Sequence, residues 1–171
     1  AESQEHVNKL TEEVGRIAIS SRQPLEATGK LYARLDLAMR DLGESQQTTG
    51  KLTEAISKGL QLTGATAGEA ASSMLQLSQA FNKGKLDGDE FRTMMEGAPI
   101  LADELAKSLG VTRGQLLKLA PEGKITAQAM TKAWVEALPK IRKAFDDTRT
   151  TIEQGFNIFR TEMTLYLGEL D

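Results

Sequence analysis

The 171-residue chain contains no cysteine. Disulfides, thiolate chemistry and zinc–sulfur sites are therefore excluded, while the compartment stays open. Aromatic residues are only 5% of the chain, so Leu, Ala, Ile and Met must build most of any core. There is a single histidine, His6, in a polar stretch with no cysteine or paired-carboxylate constellation around it in sequence. No run of about 18 apolar residues crosses a bilayer, and no signal-peptide pattern opens the sequence. A basic excess is missing too: the net charge is −3 and the pI about 5.4. Counted over residues 1–44, 45–97, 98–124 and 125–171, the charge runs −2, −1, +1 and −1, so no stretch is a basic tail. That balance disfavours a protein whose main task is gripping phosphates.

What is present is helical period. With 40% hydrophobic and 26% charged residues, the chain can pack a core of one ordinary domain. Val7, Leu10, Val14 and Ile17 share one helix face. Pro24 opens a second helix carrying Leu31, Leu35, Ala38 and Leu42, and a third bears Leu52, Ile56 and Leu60 before Gly64. Thr66-Ala67-Gly68-Glu69 is a capping-box pattern ahead of Ala70, Met74, Leu77 and Phe81, and Thr112-x-x-Gln115 is another. Between 84 and 125 the chain is punctuated by Gly84, Gly88, Gly97, Pro99, Gly110, Gly114, Pro121 and Gly123, so helices there must be short. Asp87 or Asp89 caps the first of them, and Gly97 is expected to end it in the left-handed conformation. Met130, Trp134, Leu138, Ile141 and Phe145 form a later stripe, interrupted at Pro139. No stretch alternates with period two for long enough to make a strand. The expectation is an all-α fold without a sheet: a compact multi-helix domain with short helices at about 84–125 and longer flanking ones. Residues 1–24 read as an N-terminal flank, 25–145 as the domain, and 146–171 as a C-terminal helix.

That last segment places Ile152, Phe156, Phe159, Met163, Tyr166 and Leu170 at steps of 4, 3, 4, 3 and 4, a heptad seam. It is a candidate self-association face and a possible start of a coiled coil. The chain begins at Ala1 and ends at Leu170-Asp171, and it reads as a piece of a longer protein.

Two motifs invite chemistry. Asp87-Gly88-Asp89-Glu90 is acidic, but it lacks the alternating ligands of a calcium loop and fits the positive end of a helix dipole. Asp103 to Ile125 has the outline of a DNA-binding helix-turn-helix. The turn falls at Gly110-Val111, and Thr112–Ala120 would be the recognition helix, offering Arg113, Gln115 and Lys118. Against it stand a local charge of only +1 and the neighbouring Asp103 and Glu122. A DNA-binding regulator is the alternative reading; a structural helical corner is the main one. A hydrolase lacks any nucleophile–base pair.

The stretch "LQLSQAFNKGKLDGDEFRTMMEGAPILADELAKSLGVTRGQLLKLAPEGKITAQAMTKAW" resembles the N-terminal tape-measure domain of phage and prophage tail length tape-measure proteins. A Leu-x-x-Leu-x-Gln helix of that family is matched, slightly altered, by Leu75 to Gln79 in "LQLSQAF". Gly-x-Leu-x-Gly-x-Glu is matched by Gly84, Leu86, Gly88 and Glu90, and Glu-x-x-Pro by Glu96 and Pro99. The Leu-Gly-Val turn is matched by Leu109, Gly110 and Val111. The closing pattern is matched by Leu116, Leu119, Ala120, Gly123, Ile125 and Thr126. The match covers roughly residues 25–138. The resemblance implies a structural protein of the virion tail interior, made in the host cytoplasm, that sets tail length during assembly without catalysis or cofactor. Implied partners are the tail-tip complex, the tail tube or an assembly chaperone; the heptad seam adds other copies of the chain as candidates, and no specific nucleic acid and no membrane in this segment are expected. A continuous helix rises about 1.5 Å per residue, whereas a compact chain of this length has a radius of gyration of about 15 to 16 Å. The module is therefore expected to dock or initiate, not to measure.

Overall fold

A computed structural model describes residues 2–148 and 152–168 of the chain. Its centre is α3 (Gln46–Gln61), against which α1 (Glu2–Ser20), α2 (Leu25–Asp41), α4 (Ala67–Lys83), α6 (Pro99–Leu109) and α8 (Ala127–Asp146) all pack. The remaining elements are α5 (Gly88–Gly97), α7 (Arg113–Leu119), α9 (Ile152–Gly168) and two-residue strands β1 (Lys85–Leu86) and β2 (Ile125–Thr126).

Small residues explain how so many helices reach α3. Gly59 faces Leu101 of α6: a β-carbon on Gly59 would stand 2.9 Å from the Leu101 Cγ. At Gly50 the Glu13 carboxylate of α1 takes the space a side chain would need. Around α3 the core is aliphatic, as the scarcity of aromatics requires. Leu35, Leu52, Ile56, Leu60, Leu77, Leu105 and Ile141 are fully buried in one continuous cluster. Trp134 of α8 is its largest member. It meets Phe81 edge-on at 5.8 Å, and its indole Nε1–H donates to the Leu101 carbonyl at 2.9 Å, so the polar handle of a buried Trp is satisfied.

The helix ends follow the local chemistry. Both capping boxes form: the Thr66 hydroxyl accepts from Glu69 N while Glu69 accepts from Thr66 N, and Thr112 and Gln115 do the same. Asp87 caps α5, and Pro99 occupies the first turn of α6.

Four expectations are corrected. The fold is helical but not free of strands: Lys85 pairs with Thr126 and Leu86 with Ile125, antiparallel. Gly97 is not left-handed, since positive φ among glycines falls at Gly43, Gly64, Gly84, Gly110 and Gly123. Its role is close approach, with Ser73 Oγ 3.3 Å and Leu60 Cδ2 3.5 Å from where a β-carbon would lie. Pro139 does not break its helix; α8 runs through it, with the proline on the exposed side where the lost N–H is cheapest. Val7, placed on the buried stripe of α1, is exposed, and burial on that helix begins further along.

Candidate functional site

The motif residues between 84 and 126 converge on one junction. Gly84 ends α4 in the left-handed region (φ 77°), which a side-chain-bearing residue adopts only with strain. The turned chain forms β1, and β2 returns beside it from the far end of the motif. Leu86 and Ile125 are buried there, and Ala127 N donates to the Gly84 carbonyl at 2.9 Å. Thr126 then caps α8 by accepting from Ala129 N. Gly123, at φ 65°, lies against the Lys85 side chain. The spacing of these motif positions, 42 residues apart from Gly84 to Thr126, is thus the spacing of a closed loop pinned at its neck.

Within the loop, Glu90 is buried and receives the Lys83 ammonium at 2.6 Å; the same ammonium reaches Asp87 at 3.0 Å. Lys83 holds the Asp87 carboxyl below its ordinary range. Asp87 is engaged in a cap and, with one Glu90 oxygen, in the Lys83 ion pair, while Asp89 is exposed; no group of residues suited to a metal ion occurs among the described residues. Gly88 is the first residue of α5, and Leu116 and Ala120 are buried. Val111 and Leu119 are half-buried against the core. Gln79, Glu96 and Leu109 are exposed and carry no visible architectural task.

The α6–α7 corner has the turn expected of a helix-turn-helix, with Gly110 left-handed at φ 65°. Its base-reading side chains are mostly engaged elsewhere. The Arg113 guanidinium pairs with Asp103, which raises its pKa further, and reaches the Pro99 carbonyl at 3.4 Å. The Gln115 amide oxygen accepts from Thr112 N at 2.8 Å. Lys118 alone is exposed without such a role, and α7 is only seven residues long. Nothing here supports the DNA-reading alternative.

Sequence reading missed a second cluster, where α1, α3 and α8 meet. Lys58 is buried, donates to the Ser20 carbonyl at 3.0 Å, and lies 4.4 Å over the Phe145 ring. Burial pushes its pKa down. Arg22, the one non-glycine residue with positive φ (55°) among the described residues, places its guanidinium 4.3 Å from the same ring and donates to Thr148 Oγ1 at 2.7 Å. Arg142 grips Glu54 with two nitrogens, at 2.8 and 2.6 Å. Two cations on one aromatic ring tie the α1–α2 corner to the end of α8. No local pattern announces it, because the partners come from three distant segments.

On α9 the heptad seam faces outward. Phe156, Phe159, Met163 and Tyr166 are exposed, while the Ile152 side chain and Leu170 lie outside the described residues. The helix rests on α1 through another face: Leu165 covers Gly15, where a β-carbon would stand 2.6 Å from the Leu165 Cδ1.

Motif residues spent on caps, turns and core, together with an exposed apolar face on α9, define a helical structural module. The sequence model of the tape measure protein family matches residues 1–171, the whole chain, and the chain belongs to that family. Membership gives it a structural role in a phage tail, built in the bacterial host from tail-protein partners, in a family not known for catalysis. No curated protein and no solved structure matches the chain. Among the described residues no helix is long and apolar enough to cross a membrane.

Proposed function

We propose that this chain is an assembly module of a tail tape measure protein, contributing to tail assembly and tail-length determination by docking to other tail proteins, without catalysis and without acting as the ruler. The observation that carries this reading is the closed, α3-centred packing of the helices. Among the described residues the longest helix, α8, has 20 residues and so extends only about 30 Å, and its neighbours fold back on it. A body of this kind adds little length per residue but presents a fixed surface.

In this reading residues 25–145 form the docking body, and the helix within 146–171 presents the face that meets neighbours. The partner is the tail-tip complex, the tube protein or an assembly chaperone, and the module works in the tail interior after synthesis in the host cytoplasm. The test is co-elution of the purified chain with each of these three proteins of the same phage. The reading expects a stable complex with at least one. A chain that binds none of them overturns it.

A further inference from the structure

We propose that the outward face of α9 is a self-association surface that pairs with the same face of a second copy of this chain, while α9 stays clamped to its own α1; this deepens the docking reading above and rests on it for its setting. The starting observation is that α9 is apolar on two sides. Its inner face carries Ile158, Thr161 and Leu165, with Thr161 only 2% exposed and Leu165 seated on Gly15. Its outer face carries Phe156, Phe159, Met163, Tyr166 and Leu167, exposed at 62, 57, 44, 61 and 56%. A helix with one apolar stripe needs one partner; a helix with two opposed stripes is built to lie between two.

The concentration of this surface on one element is specific. The other large apolar side chains exposed among the described residues are Val7, Leu37, Leu75, Leu109 and Leu117, one to a helix. Scattered exposure of that kind is ordinary, whereas a contiguous patch marks an interaction face. An aromatic side chain offers about 150–250 Å², so three aromatics at roughly 60% exposure, with Met163 and Leu167, present on the order of 500 Å² per copy. Two such faces together bury at most on the order of 1,000 Å², the threshold of a specific interface and the size of a weak, reversible one.

The pattern also indicates which partner. From Phe156 to Tyr166 the steps are 3, 4 and 3, the spacing at which the seams of two helices interlock. An identical seam is its own complement, as a two-fold interface requires. Among the described residues the exposed charges flanking it are Arg160 and Glu162, of opposite sign, so in that part of the seam like charges do not outnumber opposite ones. Because α9 packs on α1 from the other side, with Leu165 seated on Gly15, pairing does not require α9 to leave its own chain.

The experiment is analytical ultracentrifugation of the 171-residue chain across the micromolar range. The wild type is expected to shift from monomer to a higher mass with concentration. Phe159→Glu with Met163→Glu is expected to stay monomeric with unchanged helicity, and Leu117→Glu, an equally exposed control, to associate like wild type. Because the chain has no cysteine, a short bismaleimide provides an independent reading that does not depend on the double variant folding. Met163→Cys should cross-link chain to chain, and Lys118→Cys should not. A wild type that is monomeric throughout, undiminished association in the double variant, or equal cross-linking at both positions overturns the proposal. A monomer that still binds a tail protein overturns self-association alone; an associating chain that binds no tail protein overturns the docking reading alone.

Discussion

Gly59 of α3 and Leu101 of α6 are packed so closely that a methyl group on the glycine would sit 2.9 Å from the leucine Cγ, and Leu101 is fully buried. Alanine is the better helix former by about 1 kcal/mol, yet here it would have to displace a core side chain that also presents its carbonyl to Trp134. Overpacking of this kind costs about 1–3 kcal/mol. Gly59→Ala is therefore expected to lower the urea midpoint, and a rise would mean that α6 moves freely on α3.

The α6–α7 corner should divide sharply by burial. Leu105 and Leu116 are fully buried, while Leu117 is largely exposed. Leu105→Ala and Leu116→Ala are each expected to cost about 2–5 kcal/mol, and Leu117→Ala to stay within about 0.5 kcal/mol. Chemical denaturation of the three variants checks this. Losses below about 0.5 kcal/mol at both buried sites would place the corner outside the core.

Acid should weaken the fold through identifiable carboxylates. The Glu69 carboxyl, held by Thr66 N–H, and the Asp87 carboxyl, held by Lys83, both lie below their ordinary values of 4.5 and 3.8. A depressed carboxylate pKa contributes stability above the unfolded value and loses it as the pH falls through the folded one. The urea midpoint is expected to fall as the pH drops below about 4.5, with a flatter acid limb in Glu69→Gln combined with Asp87→Asn. An unchanged limb in that variant would assign the acid sensitivity elsewhere.

The corner is not expected to read DNA. Arg113 is paired with Asp103 and Gln115 is used in a cap. Binding of the chain to duplex DNA should show no sequence preference at physiological salt. A nanomolar selective complex lost in Arg113→Ala and Lys118→Ala would restore the DNA-binding reading.

The sequence made the helices legible where local chemistry decides: the boxes at Thr66 and Thr112, the breaks at Gly84, Gly110 and Gly123, and Pro99 at a helix start. It could not reveal β1 and β2, since two residues carry no period, and their pairing is a long-range event closing a forty-residue loop. Gly97 was misread because a glycine near a helix end serves a turn or a close approach equally well. Pro139 was misread because its effect depends on which side of α8 meets water. The seam on α9 was legible as a stripe, but period reports composition and says nothing about which of two apolar faces the chain itself covers. The Lys58–Phe145–Arg22 cluster left no trace at all, being assembled from three separate segments.

The central claim, that this module docks and does not measure, is tested most directly by tail length. In a phage carrying this chain, residues 152–168 are deleted in frame and the lengths of the resulting tails are measured by electron microscopy. As a stretched ruler segment these 17 residues would subtract about 25 Å. The account predicts fewer tails, or none, with the survivors at wild-type length. Abundant tails uniformly shortened by that amount would contradict it.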